Sequence, residues 1–336
     1  MKLTFFLIAF FLILFRVYFS WAGHRGHGND DGNILIKSDN YIEEINWSGK
    51  VRLSDDETGI ISISPGGYLK IRENDRKLEA ESNLQGEVSY TLYDGHENLS
   101  LNDSGRRFVS GMLQKMIARG FNAEGRAERI YRKGGNQALL EEIPRIQIDY
   151  AKGPYIDLLL KSDSLTKDEL IGLVKVLDES GSDVEKENYL GRFTSDRLKD
   201  STLARVWLGA VDHLGADVEK QHLLGRFIDQ GRVDGQGRVD GTTYDSLLTI
   251  IGHIGADVDK RYLYAKLIDD SLNTNDQWIS LIQATRRLGA DVEKVDLLVQ
   301  VAHKMPKDEP VRVEFLKAAK SIGSDADYGR VMRAVE

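Results

Sequence analysis

Six aspartates recur through the second half of the chain: Asp149, Asp183, Asp217, Asp257, Asp291 and Asp325. Carboxylates at regular intervals could share a metal ion or a proton, and both need oxygens within a few ångströms of each other. If each Asp belongs to one unit of a stack, its equivalents lie roughly 10 Å apart, one helix-packing distance. The expected role is therefore structural, accepting hydrogen bonds at helix starts as caps. The histidines, His24, His27, His96, His213, His222, His253 and His303, form no His-Glu-x-x-His metal pattern. His213 and His253 share one place near a helix end, where an imidazolium would meet the negative end of the helix favourably. There is no cysteine, which excludes disulfides, thiolate metal sites and a thiol nucleophile. Neither a Gly-Lys-Ser/Thr phosphate loop nor a Gly-x-Ser-x-Gly elbow occurs. Residues 234–241 faintly resemble a calcium loop but lack its alternating acids and closing Glu. No catalytic residue, cofactor or metal site is expected, and the chain reads as a non-enzyme. A hydrolase with an unmarked site is the alternative.

A second pattern suits recognition. Positions seven apart share a helix face, giving Glu185 with Arg192, Glu219 with Arg226, Asp259 with Lys266 and Glu293 with Gln300. Between them lie Asn188, His222, Tyr262 and Asp296, which vary most. A constant frame around variable residues is how solenoid grooves read partners. The other reading is a solvated face of charge pairs, each contributing a few tenths of a kcal/mol.

What must position these residues is a repeat. Gly181-Ser182-Asp183-Val184-Glu185-Lys186 returns at Gly215, Gly255 and Gly289, then in worn form at Gly323, with a weaker first copy at Gln147. The copies step by 34, 34, 40, 34 and 34 residues, and the long step contains a six-residue duplication, residues 230–235 repeated as 236–241. Such a period marks a repeat array. Each phrase follows an apolar helical run such as residues 203–214, so it reads as a helix–turn–helix corner. Its Gly would end one helix in the left-handed conformation. Asp, or the Ser or Ala before it, would cap the next, with Ser182 and Glu185 forming a capping box. The second helices carry Tyr189, Leu190 and Phe193; Leu223, Leu224 and Phe227; Leu263, Tyr264 and Leu267; Leu297, Leu298 and Val301. One hairpin cannot bury such a stripe alone, so about five hairpins must stack as an α-solenoid over residues 147–336.

Upstream, residues 1–22 read as a signal peptide, with an apolar run after Lys2 and small residues Ser20 and Ala22 before the expected cleavage. Residues 23–33 read as a flexible linker. Residues 34–103 alternate in apolarity, as in an antiparallel β domain with one wet face, with turns at Ser64-Pro65-Gly66-Gly67, Glu73-Asn74-Asp75 and Asp94-Gly95. Residues 104–146 are helical but outside the register, as a cap linking sheet to array. The fold class is α+β. The formal charge of −8 and the lack of a basic block argue against nucleic acid. An exported chain without disulfides fits a bacterial periplasm or secretion. An uncleaved leader would instead anchor it to the membrane.

Across residues 147–336 the repeats resemble HEAT-like and tetratricopeptide-type arrays, whose members bind protein or peptide. The chain after residue 22 also resembles the extracytoplasmic portion attached to some bacterial membrane peptidases of the beta-lactam-sensor class. There, strands like Ile61-Ser62-Ile63-Ser64-Pro65-Gly66-Gly67 precede helical repeats with a Ser-Asp-aromatic-Glu corner. The resemblance implies an extracytoplasmic location and a docking role, or, alternatively, a membrane-linked sensory role. It carries over no catalytic residue, because the peptidase motif is missing.

Overall fold

The computed structural model describes residues 31–233, 241–268 and 274–335. The expected leader, the linker as far as residue 30 and most of the second duplicated copy lie outside the described residues. The chain divides into two compact units, one of residues 1–123 with 146–151, the other of residues 124–145 with 152–336.

Alternating apolarity in the first unit yields strands β1 (Gly32–Ser38), β2 (Tyr41–Ser48), β3 (Val51–Leu53), β4 (Ile60–Ile63), β5 (Tyr68–Glu73), β6 (Arg76–Ser82), β7 (Val88–Asp94) and β8 (Glu97–Asn98). Strand β1 takes up Gly32 and Asn33, at the end of the stretch read as linker. The sheet is antiparallel in the order β1-β2-β5-β6-β7-β8, with β3 and β4 paired separately, so the meander is interrupted once. Gly66, Asn74 and Gly95 have positive φ at the three anticipated turns.

The period of two sends Ile45, Leu69, Ile71, Leu78, Ala80 and Leu92 to one face, where they form a core with Phe108, Val109, Met112, Leu113 and Met116. Those five lie on α1 (Asp103–Ala118), whose start is capped by Asn102 accepting from the Ser104 and Gly105 amides. The helical stretch 104–146 is thus divided, its first helix serving the sheet and residues 124–145 falling in the other unit.

The register also places Glu43 opposite Glu73 on that face, an arrangement that repels unless neutralised. Lys115 in the last turn of α1 and Arg119 just after the helix neutralise it. Arg119 pairs with Glu43 at 2.8 Å, and Lys115 pairs with Glu73. Tyr41 donates to Glu43 at 2.9 Å. Burial, and then this bond to a carboxylate, push the Tyr41 phenol up to about 12. Burial would raise Glu73, but the Lys115 ammonium beside it holds it below the usual carboxylate range.

The second unit is helical: α2 (Ala123–Glu142), interrupted at Gly135, then α3 (Asp149–Lys161), α4 (Lys167–Asp178), α5 (Asp183–Leu190), α6 (Ser195–Leu198), α7 (Ser201–Asp212), α8 (Asp217–Val233), α9 (Gly241–His253), α10 (Asp257–Ile268), α11 (Asn275–Thr285), α12 (Asp291–Lys304), α13 (Glu309–Ala319) and α14 (Asp325–Val335). α4, α7, α9, α11 and α13 pack in succession, as do α5, α8, α10, α12 and α14. The anticipated stripe lies between them: Leu190, Phe193, Leu223, Leu224, Phe227, Leu263, Tyr264, Leu267, Leu297, Leu298 and Val301 are buried, and Tyr189 is half-buried.

At the corners the structure corrects two expectations. Asp183, Asp217, Asp257 and Asp291 are the first residues of their helices, and each reaches forward to the corner of the following repeat instead of capping its own helix. Asp183 Oδ2 accepts from the Gly215 and Ala216 amides at 2.9 and 3.0 Å. Asp217 accepts from Gly255 at 2.8 Å, and Asp257 from Gly289 and Ala290, both at 2.8 Å. Asp291 accepts from Gly323 at 3.0 Å. Asp149 and Asp325 open α3 and α14 in the same place.

Of the five corner glycines only Gly181 has positive φ. At Gly215, Gly255, Gly289 and Gly323 a Cβ would lie 3.0–3.2 Å from the preceding repeat's Asp oxygen, so glycine there admits the carboxylate. Ser182 and Glu185 do form the anticipated capping box.

Asp257→Ala is expected to lower stability by about 1–2 kcal/mol at pH 7, since two amides lose a charged acceptor. Burial would raise the Asp257 pKa, but the Ala290 amide, the Lys260 ammonium and the Gly289 amide hold it below the usual carboxylate range. A depressed folded-state pKa stabilises above the unfolded value and is lost as pH falls through the folded one. The gap between native and variant in urea melts should therefore close below about pH 4.

Candidate functional site

The residues anticipated as a charged recognition frame are mostly engaged between repeats, not along each helix. Arg192 pairs with Asp157 at 2.5 Å, Arg226 donates to the Gly191 carbonyl and Lys266 pairs with Asp229 at 2.6 Å. Asp259 accepts from Gln221 at 2.9 Å, and Glu293 pairs with Arg261. Glu185 serves its own capping box, and Gln300 donates to the Asp296 carbonyl one turn back. Glu219 is half-buried, with one carboxylate oxygen lacking a hydrogen-bond partner among the described residues. These bonds run from repeat to repeat because equivalent helices lie side by side. They tie the array together.

Of the four variable residues, Asn188, His222 and Tyr262 are exposed and Asp296 is half-buried. His222 reaches Glu187 at 3.1 Å and Asp296 meets Arg330 at 3.1 Å. His213 and His253 close the ends of α7 and α9 and pair with Asp178 and Asp212 of the preceding repeat at 2.8 and 2.9 Å. Among the described residues no three His, Cys, Asp or Glu side chains are placed to hold a metal ion, and no helix is long and apolar enough to cross a membrane.

One feature of the repeated phrase escaped the sequence reading. Its valine is the second residue of α5, α8, α10 and α12 and points to solvent: Val184 is 64% exposed, Val218 57%, Val258 54% and Val292 66%. An aliphatic side chain kept in four successive units outside the buried stripe was the available signal. Four residues on, and so on the same helix face, come Asn188, His222, Tyr262 and Asp296. The face therefore carries a constant aliphatic row beside a varied one.

The lysine of the phrase does not reach this surface equally. Lys220 and Lys294 are buried, and Lys260 pairs with Asp257 at 3.1 Å. The acids flanking each valine, Asp183 and Glu185, Asp217 and Glu219, Asp257 and Asp259, Asp291 and Glu293, remain partly open. Most of these acids are already bonded within the array, Asp257 to Lys260, Asp291 to Lys294 and Glu293 to Arg261 among them, so the valines are the part of the row left without an internal role. No protein-family model, no curated protein and no solved structure matches this chain.

Proposed function

We propose that the repeats form a non-enzymatic binding scaffold that holds a segment of another protein along the row of Val184, Val218, Val258 and Val292, in the bacterial envelope outside the cytoplasm. The carrying observation is the exposure of one valine at the same place in four successive repeats. Exposed aliphatics that recur in register contribute little to folding, whereas a partner would bury them. The adjoining Asn188, His222, Tyr262 and Asp296 then supply selectivity. The leader-like residues 1–22, and the resemblance to extracytoplasmic repeat regions, support the location.

Changing the four valines to serine together should leave the folded array intact, each change costing no more than about 0.5 kcal/mol as a surface substitution. The same variant should fail to co-purify the partner that the native chain retains from its own cells. Equal retention by both proteins would contradict the proposal.

A further inference from the structure

One edge of the β sheet is open among the described residues. β1 is its outermost strand, and the direction of the β1 backbone groups follows from β2. The Ile42 amide donates to Asn74 Oδ1 at 2.9 Å, and the Ile42 carbonyl accepts from the Asn74 amide at 2.7 Å, so Ile42 turns its polar groups toward β5. Lys37 stands opposite Ile42, and in an antiparallel pair of that kind each residue points its N–H and C=O away from the other. The register is unbroken, so Asn33, Leu35 and Lys37 all present their amides and carbonyls outward. Among the described residues these groups have no hydrogen-bond partner. The opposite edge strand, β8, is two exposed polar residues, the short kind that resists pairing. β1 has 7 residues, no proline, and Ile34, Leu35 and Ile36 only half-buried at its centre.

We infer that this edge takes the same strand of a second copy of the chain, antiparallel about a two-fold axis, so that the sheet runs on from one chain into the other.

The strand complements itself in one register. With Leu35 facing Leu35 of the second copy, Asn33 and Lys37 face each other across the axis, and every outward amide and carbonyl of the strand finds a partner. Ile34 and Ile36, on the side that faces the core with Ile45, then also oppose one another, so apolar side chains meet on both faces. A shift in either direction sets Leu35 against Asn33 or Lys37 and leaves an isoleucine opposite Gly32 or Ser38. Just past each strand end Asp31 comes opposite Asp39 of the second copy, and a Lys37 ammonium on the same face stands beside that pair. An unrelated strand would have to supply the same pattern, whereas a second copy carries it already, and a two-fold contact closes on itself.

The experiment is sedimentation velocity of the purified protein at about 1 to 100 μM, the range suited to so small an interface. The native protein should dimerise there. Leu35→Lys brings two ammonium groups face to face at the axis and should weaken the dimer at least about tenfold, with an unchanged circular dichroism spectrum. The chain has no cysteine, so Leu35→Cys gives an independent reading. Facing residues of such a pair lie about 5.5 Å apart between Cα atoms, within disulfide reach, and a mild oxidant should link Leu35→Cys into a covalent dimer. Leu84→Cys, at an 82% exposed position, should stay unlinked. A native protein that is monomeric throughout would overturn the inference. So would a dimer indifferent to Leu35→Lys, or one that links equally through Leu84→Cys, since either places the contact elsewhere. Monomers whose Asn33, Leu35 and Lys37 amides are nevertheless protected from hydrogen exchange would mean that the edge has another occupant, and the inference fails in that case too.

Discussion

Replacing Arg119 with alanine is expected to destabilise the β-sheet unit by about 3–5 kcal/mol, the cost of leaving a buried charge without its partner. The Glu43 side chain is only 1% exposed and faces Arg119 at 2.8 Å. Glu73 lies opposite it in the neighbouring strand. Without the guanidinium, Glu43 keeps, among the described residues, only the Tyr41 hydroxyl, which it shares with Glu73 at 3.3 Å. The stranded carboxylate must then take up a proton or draw in water, and either weakens the seat of α1 on the sheet. Glu43→Leu combined with Arg119→Leu removes both charges and should recover most of the loss, because exchange of a buried pair for apolar groups is often near neutral. Urea denaturation of the two variants beside the native protein separates these outcomes. A loss below about 1 kcal/mol for Arg119→Ala would mean that the pair is not a buried lock.

The second large effect is expected at Trp207. This residue of α7 is 2% exposed, and its ring stacks on Phe227 of α8 with centroids 5.5 Å apart. Its Nε1–H donates to the Leu190 carbonyl at 3.0 Å, where α5 ends. One side chain thereby joins three helices across two repeats. Trp207→Ala should cost about 3–5 kcal/mol as a large-to-small core change. Trp207→Phe keeps much of the packing and removes one donor from a carbonyl that still accepts from the Phe193 amide, a loss of about 0.5–1.5 kcal/mol. Melting curves for both variants should show this order. Equal losses would place the weight on the hydrogen bond, and negligible losses would remove Trp207 from the centre of the stack.

The repeat was legible because its cause is local. A helical run, a Gly-containing corner and a second run recur within 34 residues, and the apolar positions alone say which sides face inward. The sheet was legible for the same reason, since alternation assigns Ile45, Leu69, Ile71 and Leu78 to one face. What joins the units of a stack was not legible. Asp183 reads as a cap for the helix it begins, and only when the next corner lies beside it does its carboxylate find Gly215 and Ala216 instead. Gly255 and Gly289 likewise read as left-handed helix ends, but they leave space for an oxygen arriving from the preceding repeat.

The residues anticipated for recognition divide by exposure and by their bonds. Asn188, His222 and Tyr262 stand on an exposed face, whereas Arg192, Arg226 and Lys266 hold neighbouring repeats together. Val218 was hidden within a phrase whose other residues explain the corner fully. The Glu43–Arg119 pair spans 76 positions, and no local pattern announces a contact of that range.

The most direct measurement of the binding role is photo-crosslinking inside the cells that produce the protein. A photoreactive amino acid would replace Val184, Val218, Val258 or Val292 in turn, and Gln283, an exposed residue of α11, would serve as the comparison site. One adduct of common mass from all four valine positions and none from Gln283, with peptide mapping of its attachment to one continuous segment of the partner, is the expected result. Adducts that differ from position to position, or that form equally at Gln283, would contradict a partner seated along the valine row.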